Sequence, residues 1–237
     1  MKLVLGISGA SGAGLGIKFL AKILELKVFL NGKLKVFVVV SNGAKMVLNA
    51  EDGIDFQNLD FTQTLSQSCD LETMQSLESC SIKSIRTNFM PNNLNKNLRE
   101  SINIILKYKD KITIFDDMAL DAPIASGSFG VDAMIVAPCS SNTLAKINCG
   151  ISDTLLTRSA FVCLKEQKKL ILSPREMPLN SIMLENMLNL SKLGVIISPP
   201  ILGYYSKASN LEEMEHFLFG KWLDLLNIKN SLYKRWK

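Results

Sequence analysis

Apolar positions fall into two kinds of run along the chain. Short continuous runs at Leu3-Val-Leu5, Lys35-Val-Phe-Val-Val-Val40, Asp132-Ala-Met-Ile-Val-Ala137 and Lys169-Leu-Ile-Leu-Ser173 end in Gly, Ser or Pro. Their length and β-branched content are those of strands buried on both faces. Between them the spacing turns helical, as at Leu15, Phe19, Ile23 and Leu26, or at Leu98, Ile102, Ile105 and Leu106. The pattern predicts helices over 15–26, 44–50, 94–108, from about 144, over 152–165, 181–192 and 210–226. It also predicts a short edge strand at Lys111–Phe115 and a strand at Val195–Ile197. A strand, a helix and a second strand within roughly the first 40 residues form a right-handed crossover. Its repetition predicts a three-layer α/β fold with a mostly parallel sheet.

One stretch breaks the rhythm. From 52 to 118, Asn, Gln and Ser are frequent, the apolar residues scatter, and Met90-Pro-Asn-Asn93 punctuates the middle. This reads as an insertion within a single domain spanning 1–237, and its Lys107–Lys111 charges read as solvated surface.

Composition narrows the class. With 47% apolar and 21% charged residues, the 237-residue chain can bury a large core, and the apolar excess suggests an oligomer. No apolar run approaches the roughly 18 residues of a membrane span, and the N-terminal run breaks at Gly6, too early for a signal peptide. A cytoplasmic location is expected. The five cysteines (69, 80, 139, 149 and 163) lack CxxC spacing, so neither a disulfide framework nor a zinc site is indicated. A net charge of +5 suits anionic small ligands and carries no nucleic-acid motif.

Candidate chemistry gathers where strands end. The turn Gly6-Ile-Ser-Gly-Ala-Ser-Gly12 lies between the first strand and its helix, where free backbone N–H groups favour an anion. A bare tight turn accounts for it equally well. Ser41-Asn42-Gly43 closes the second strand where a dinucleotide fold would place an acidic residue, so a mononucleotide is the better fit. Pro138-Cys-Ser-Ser-Asn-Thr143 offers more hydroxyls than one helix cap needs. Pro174-Arg-Glu-Met-Pro178 sets Arg175, suited to a phosphate, beside Glu176, suited to acid–base work. Arg158 and Lys165 share a helix face; they meet an anion or a carboxylate if that face is inside, and mean little on a solvent face. The lone His216 argues against Ser-His-Asp or Cys-His hydrolysis.

Together with Val40-Ser41, Ser126-Gly-Ser-Phe129, Asp153-Thr-Leu-Leu-Thr-Arg158, Leu164-Lys-Glu166 and Pro199-Pro200 through Tyr205, these motifs resemble the flavin prenyltransferases of the UbiX type. The resemblance covers about 1–51 and 119–237. It implies a flavodoxin-like or Rossmann-like homo-oligomer, commonly a dodecamer, with sites at subunit contacts. It further implies that the dimethylallyl group of dimethylallyl phosphate is joined to N5 and C6 of reduced FMN, without a metal. The resulting prenylated FMN would serve a partner decarboxylase of the ubiquinone or aromatic-acid type.

By position, the resemblance implies FMN contacts from Gly9, Ala10, Ser11, Ser41, Ser140, Ser141, Asn142, Thr143 and Arg175. It places Tyr205 and Lys221 on the prenyl phosphate, and Glu51, Arg158, Lys165 and Glu176 in the catalytic shell. Lys221 stands where the family often has arginine, which keeps the charge and loses the fork. Ser141-Asn142 replaces a more usual apolar-lysine pair. Pro-Cys-Ser-Ser-Asn-Thr is also similar to a motif of flavin-dependent cysteine decarboxylases, which rely on a histidine in the N-terminal half that is missing here. That activity and a non-catalytic FMN-binding subunit are the alternatives.

Overall fold

The structure is a computed structural model and describes residues 1–55 and 95–235. In chain order the elements are β1 (Lys2–Ile7), α1 (Ala13–Leu24), the single turn α2 (Lys27–Leu30), β2 (Lys35–Val40), α3 (Asn42–Asp52) and α4 (Lys96–Lys107). There follow β3 (Ile112–Asp116), β4 (Ala133–Cys139), α5 (Ser141–Asn148) and α6 (Leu155–Lys165). The chain closes with β5 (Lys169–Pro174), α7 (Ser181–Lys192), β6 (Ile196–Ile197) and α8 (Leu211–Leu225). Met90–Asn93, Cys69 and Cys80 lie outside the described residues.

The strands form one sheet in the order β3-β2-β1-β4-β5-β6, and every neighbouring pair is parallel. Of the two common doubly wound orders, this is the 3-2-1-4-5-6 one. The period of two divides the core. Leu3, Leu5 and Ile7 of β1 face one layer with α1, α3, α4 and α8, while Val4 and Val136 face the other with α5, α6 and α7. Successive strands run outward from β1 to β3, then restart at β4 on the other side of β1. The direction of winding therefore reverses between β1 and β4, which opens a crevice at their C-terminal ends.

Ile112–Asp116 does form an edge strand, pairing with β2, and Leu98, Ile102 and Ile105 of α4 pack into the core beside α1. Asp117, just beyond β3, is 4% exposed and locks the start of α6. Its carboxylate accepts the Leu156 N–H at 2.9 Å and its carbonyl accepts the Leu155 N–H at 2.6 Å. Burial raises the pKa of this carboxyl, against the pull of the Leu156 and Thr154 hydrogen bonds. Replacing Asp117 by Ala should cost about 1–3 kcal/mol in urea unfolding, because the Leu156 N–H is left buried without an acceptor.

Two helix starts differ from the sequence pattern. Helix α6 is capped by Thr154, through a reciprocal Thr154–Thr157 capping box, not by Ser152, because Ile151–Asp153 lie outside any regular element. Helix α5 begins at Ser141, capped by the Ser140 hydroxyl, rather than near Leu144; polar first-turn residues hide the start from any apolar pattern. Among the described residues Cys139 and Cys163 are buried and Cys149 is exposed, and burial pushes the Cys163 thiol up to about 12. Iodoacetamide should therefore modify Cys149 in the native protein while Cys139 and Cys163 stay protected, as peptide mass spectrometry would read.

Candidate functional site

The parallel topology carries the ends of β1, β2, β4 and β5 to one edge, and hydrogen bonds then knit them together. Ser8, fully buried after β1, donates both its N–H and its hydroxyl to the Pro138 carbonyl at 3.1 Å. Its Oγ in turn accepts the Ser140 N–H at 2.7 Å. The Ser41 N–H reaches the Ile7 carbonyl at 3.0 Å, and the Arg175 N–H reaches the Cys139 carbonyl at 3.2 Å. Gly9 presses on the start of α3 so closely that a Cβ there would lie 2.7 Å from the Gly43 carbonyl carbon. Only glycine permits that approach.

The anion cradle expected at the turn already has an occupant. Gly12, at φ 80°, is the N-cap of α1 without a side-chain bond, and its N–H donates to Glu51 Oε2 at 2.7 Å. The carboxylate sits where the dipole of α1 favours negative charge. Helix α3, capped by the Ser41 hydroxyl, delivers Glu51 from its last turn.

Above this network lies a cavity of about 330 Å³, a size suited to a small ligand. Ser11, Gly12 and Glu51 form one side and Arg175 another, while Leu15, Leu202 and Met214 contribute apolar wall. The Arg175 Nε is buried and has no hydrogen-bond partner. An unpaired guanidinium nitrogen beside a cavity is a donor waiting for an anion, since leaving it unpaired costs free energy. Next to it Glu176 accepts the Ser141 hydroxyl at 3.3 Å and the Met177 N–H at 3.2 Å.

Three charged residues of this cavity have no counterpart in the sequence reading. Lys18 of α1 donates to Glu215 of α8 at 2.7 Å, with both side chains largely buried, and Asp52 lies alongside. Burial chiefly, and then the neighbouring Glu51 charge, raises the Asp52 pKa, while Lys18 opposes them. A lysine set within the Leu15–Phe19 stripe of an amphipathic helix was the available signal for Lys18.

Not every expected residue reaches the cavity. Ser140 and Thr143 largely satisfy one another: the Thr143 N–H and the Ser140 hydroxyl each bond across the cap, at 3.2 and 3.0 Å. Ala10 is buried and Asn142 is exposed in the first turn of α5. Arg158 and Lys165 lie exposed on α6, in the opposite layer of the fold, with Lys165 paired to Glu166 at 2.9 Å. Tyr205 and Lys221 are exposed beside the cavity rather than in it. The Tyr205 ring packs edge-on against Phe217, and Lys221 follows Phe217 by one turn of α8.

Comparison with known proteins agrees with this architecture. The family model for flavoproteins matches residues 1–220. The flavin prenyltransferase UbiX of Campylobacter jejuni is 41% identical over 237 residues, covering all of this chain and 99% of that protein. A dodecameric FMN-dependent UbiX-like decarboxylase from Escherichia coli O157:H7 superposes with a TM-score of 0.71 at 30% identity, over the whole of both chains. A UbiX protein, PadA1, solved with FMN and dimethylallyl pyrophosphate, gives 0.69 at 28% identity, over all of this chain and 97% of that one. The chain belongs to the flavoprotein family, among its UbiX-like flavin prenyltransferases.

Proposed function

We propose that the protein joins the dimethylallyl group of dimethylallyl phosphate to N5 and C6 of reduced FMN, and that the prenylated FMN is passed to a decarboxylase. The observation that carries this reading is the meeting of Arg175, its Nε buried and unpaired, with Ser11, Gly12 and Glu51 around one cavity at the reversal point of the sheet, Glu176 being the next residue in the chain. The donor set suits FMN: a guanidinium, strand-end hydroxyls and a glycine turn too tight for any side chain at Gly9.

When bound, reduced FMN supplies the nucleophilic N5 and the C6 carbon at which the fourth ring closes. The chain's own residues handle the charge. Ser11, Ser41 and the Ser140–Thr143 segment orient the flavin, and Arg175 binds its phosphate. As the allylic C–O bond breaks, the electron pair leaves with the phosphate, and Lys221, Tyr205, Arg158 and Lys165 stabilise that growing negative charge. Four such donors neutralise a phosphate without a metal. The apolar wall at Leu15, Leu202 and Met214 keeps water from the allyl fragment. Ring closure would need one proton placed on the prenyl double bond and one removed from C6, and Glu176, or the departed phosphate, is the group that would carry that proton.

Arg158 and Lys165 lie in the opposite layer from this cavity, so we assign them to the site of a neighbouring subunit. The exposed apolar side chains Ile182, Leu184 and Leu188 of α7, with Met177 before it, support an oligomer, and a dodecamer is the expected form. Native mass spectrometry should give that mass, and a monomer would break the assignment. Among the described residues no helix is long and apolar enough to cross a membrane, and a cytoplasmic location fits the reading.

Incubation with reduced FMN and dimethylallyl phosphate should yield a flavin heavier by one C5 unit. Carbon dioxide release from a cysteinyl substrate, with no heavier flavin, would instead identify a decarboxylase. Bound FMN with neither product would leave only a binding subunit.

A further inference from the structure

The C-terminal tail is fastened to α8 by one carboxylate. Asp224 accepts the Tyr233 hydroxyl at 2.5 Å, two Arg235 guanidinium N–H groups at 2.9 and 2.7 Å, and an Asn230 side-chain N–H at 2.9 Å. These bonds, led by Arg235, hold the Asp224 carboxyl below its ordinary range. The Tyr233 ring is thereby laid over Gly220, where an added Cβ would come within 2.3 Å of it. It meets the Phe217 ring edge-on, centroids 5.2 Å apart.

Phe217 meets Tyr205 edge-on as well, at 5.2 Å and 90°. It also fills the space beside Gly203. Among the described residues the backbone hydrogen bonds around Tyr205 are local turns, from the Ile201 N–H to the Pro199 carbonyl, Ser206 to Gly203 and Lys207 to Tyr204. Yet this segment supplies Pro200, Ile201 and Leu202 to the cavity wall. A loop with only local backbone bonds takes its position from the side chains packed on it.

We propose that Tyr233, held by Asp224 and Arg235, is a positioning residue that seats the Pro199–Ser206 loop and Tyr205 through Phe217. The proposal rests on the reading that Tyr205 holds the prenyl phosphate. Tyr233 touches neither substrate; it sets where the loop stands. Edge-to-face contact is one of the arrangements the ring quadrupoles favour and adds to the area the rings bury, so the tail restrains the loop in position rather than merely covering it.

Full-length Tyr233→Ala, Tyr233→Phe and Asp224→Asn proteins test it by hydrogen exchange and by steady-state kinetics. Tyr233→Ala should speed exchange in peptides covering 199–209 while β1 and β4 amides keep wild-type protection. It should also raise KM for dimethylallyl phosphate about three- to tenfold, with FMN affinity, read by flavin fluorescence, kept within about twofold. Tyr233→Phe keeps the ring and should restore most of the KM; Asp224→Asn, which loosens the anchor, should fall between. Asp224→Asn decides the matter if Tyr233→Ala does not fold. Wild-type loop exchange and KM in Tyr233→Ala, or in Asp224→Asn where the alanine variant does not fold, would overturn the proposal, as would loosening of the whole fold together with lost FMN affinity. Should the wild-type protein make no prenylated flavin, the reading of Tyr205 fails, while loop exchange still decides whether the tail seats the loop.

Discussion

Replacing Glu176 by Gln should leave FMN bound and lower the rate of prenylated flavin formation by about 10²–10⁴-fold, the usual worth of a positioned general base. The amide has the shape of the carboxylate: its oxygen can still accept the Met177 N–H and its NH2 can donate to the Ser141 hydroxyl oxygen, so the loop after β5 should keep its form. What the amide cannot do is take a proton. Single-turnover absorbance and mass spectrometry of the released flavin would separate the two steps of the reaction. If bond formation at N5 persists and only ring closure stalls, Glu176 is the base for the second step. Unchanged turnover would pass that role to the departed phosphate.

Arg175→Ala should weaken FMN binding roughly ten- to hundredfold, the range for losing a hydrogen bond to a charged group. The apo protein should melt at nearly the wild-type temperature. The two expectations share one cause: the Arg175 Nε has no partner within the protein, so removing it costs the fold no bond there. Arg175→Lys should recover charge but not the fork, and fall between the two in affinity. Flavin fluorescence titration reads the affinity and calorimetry the melting point. A large loss of apo stability would show that Arg175 is structural instead.

Glu51 is the point at which site and fold are hardest to separate. Its carboxylate holds the Gly12 N–H, which the turn would otherwise offer to a ligand anion. The turn is thus a mount for a carboxylate beside the cavity, and under the proposed function the flavin phosphate is assigned to Arg175 and the strand-end hydroxyls. Sequence reading found both partners but not their pairing. Gly12 and Glu51 are far apart in the chain and meet only because β1 and β2 are adjacent and parallel.

Local signals were strong where periodicity is strong. The runs at Leu3–Leu5, Lys35–Val40, Asp132–Ala137 and Lys169–Ser173 became strands within a residue or two, because a strand buried on both faces tolerates little else. Ser41 is the cap of α3, its hydroxyl accepting the Ala44 N–H three residues on, an interaction contained within one segment. Asp117 and Glu215 were invisible for the opposite reason. Each matters through a partner on another element, and nothing in its own neighbourhood marks it.

The sequence by itself determined the α/β class, the edge position of Ile112–Asp116, and the residues that strand ends would present. Those follow from period, length and turn chemistry, which act over a few residues. Only the tertiary structure decided the 3-2-1-4-5-6 order, the crevice between β1 and β4, the capture of Gly12 by Glu51, and the separation of Arg158 and Lys165 from the cavity of their own chain. These depend on which strands are neighbours and which face each helix covers, and that is settled by burial of the whole core at once.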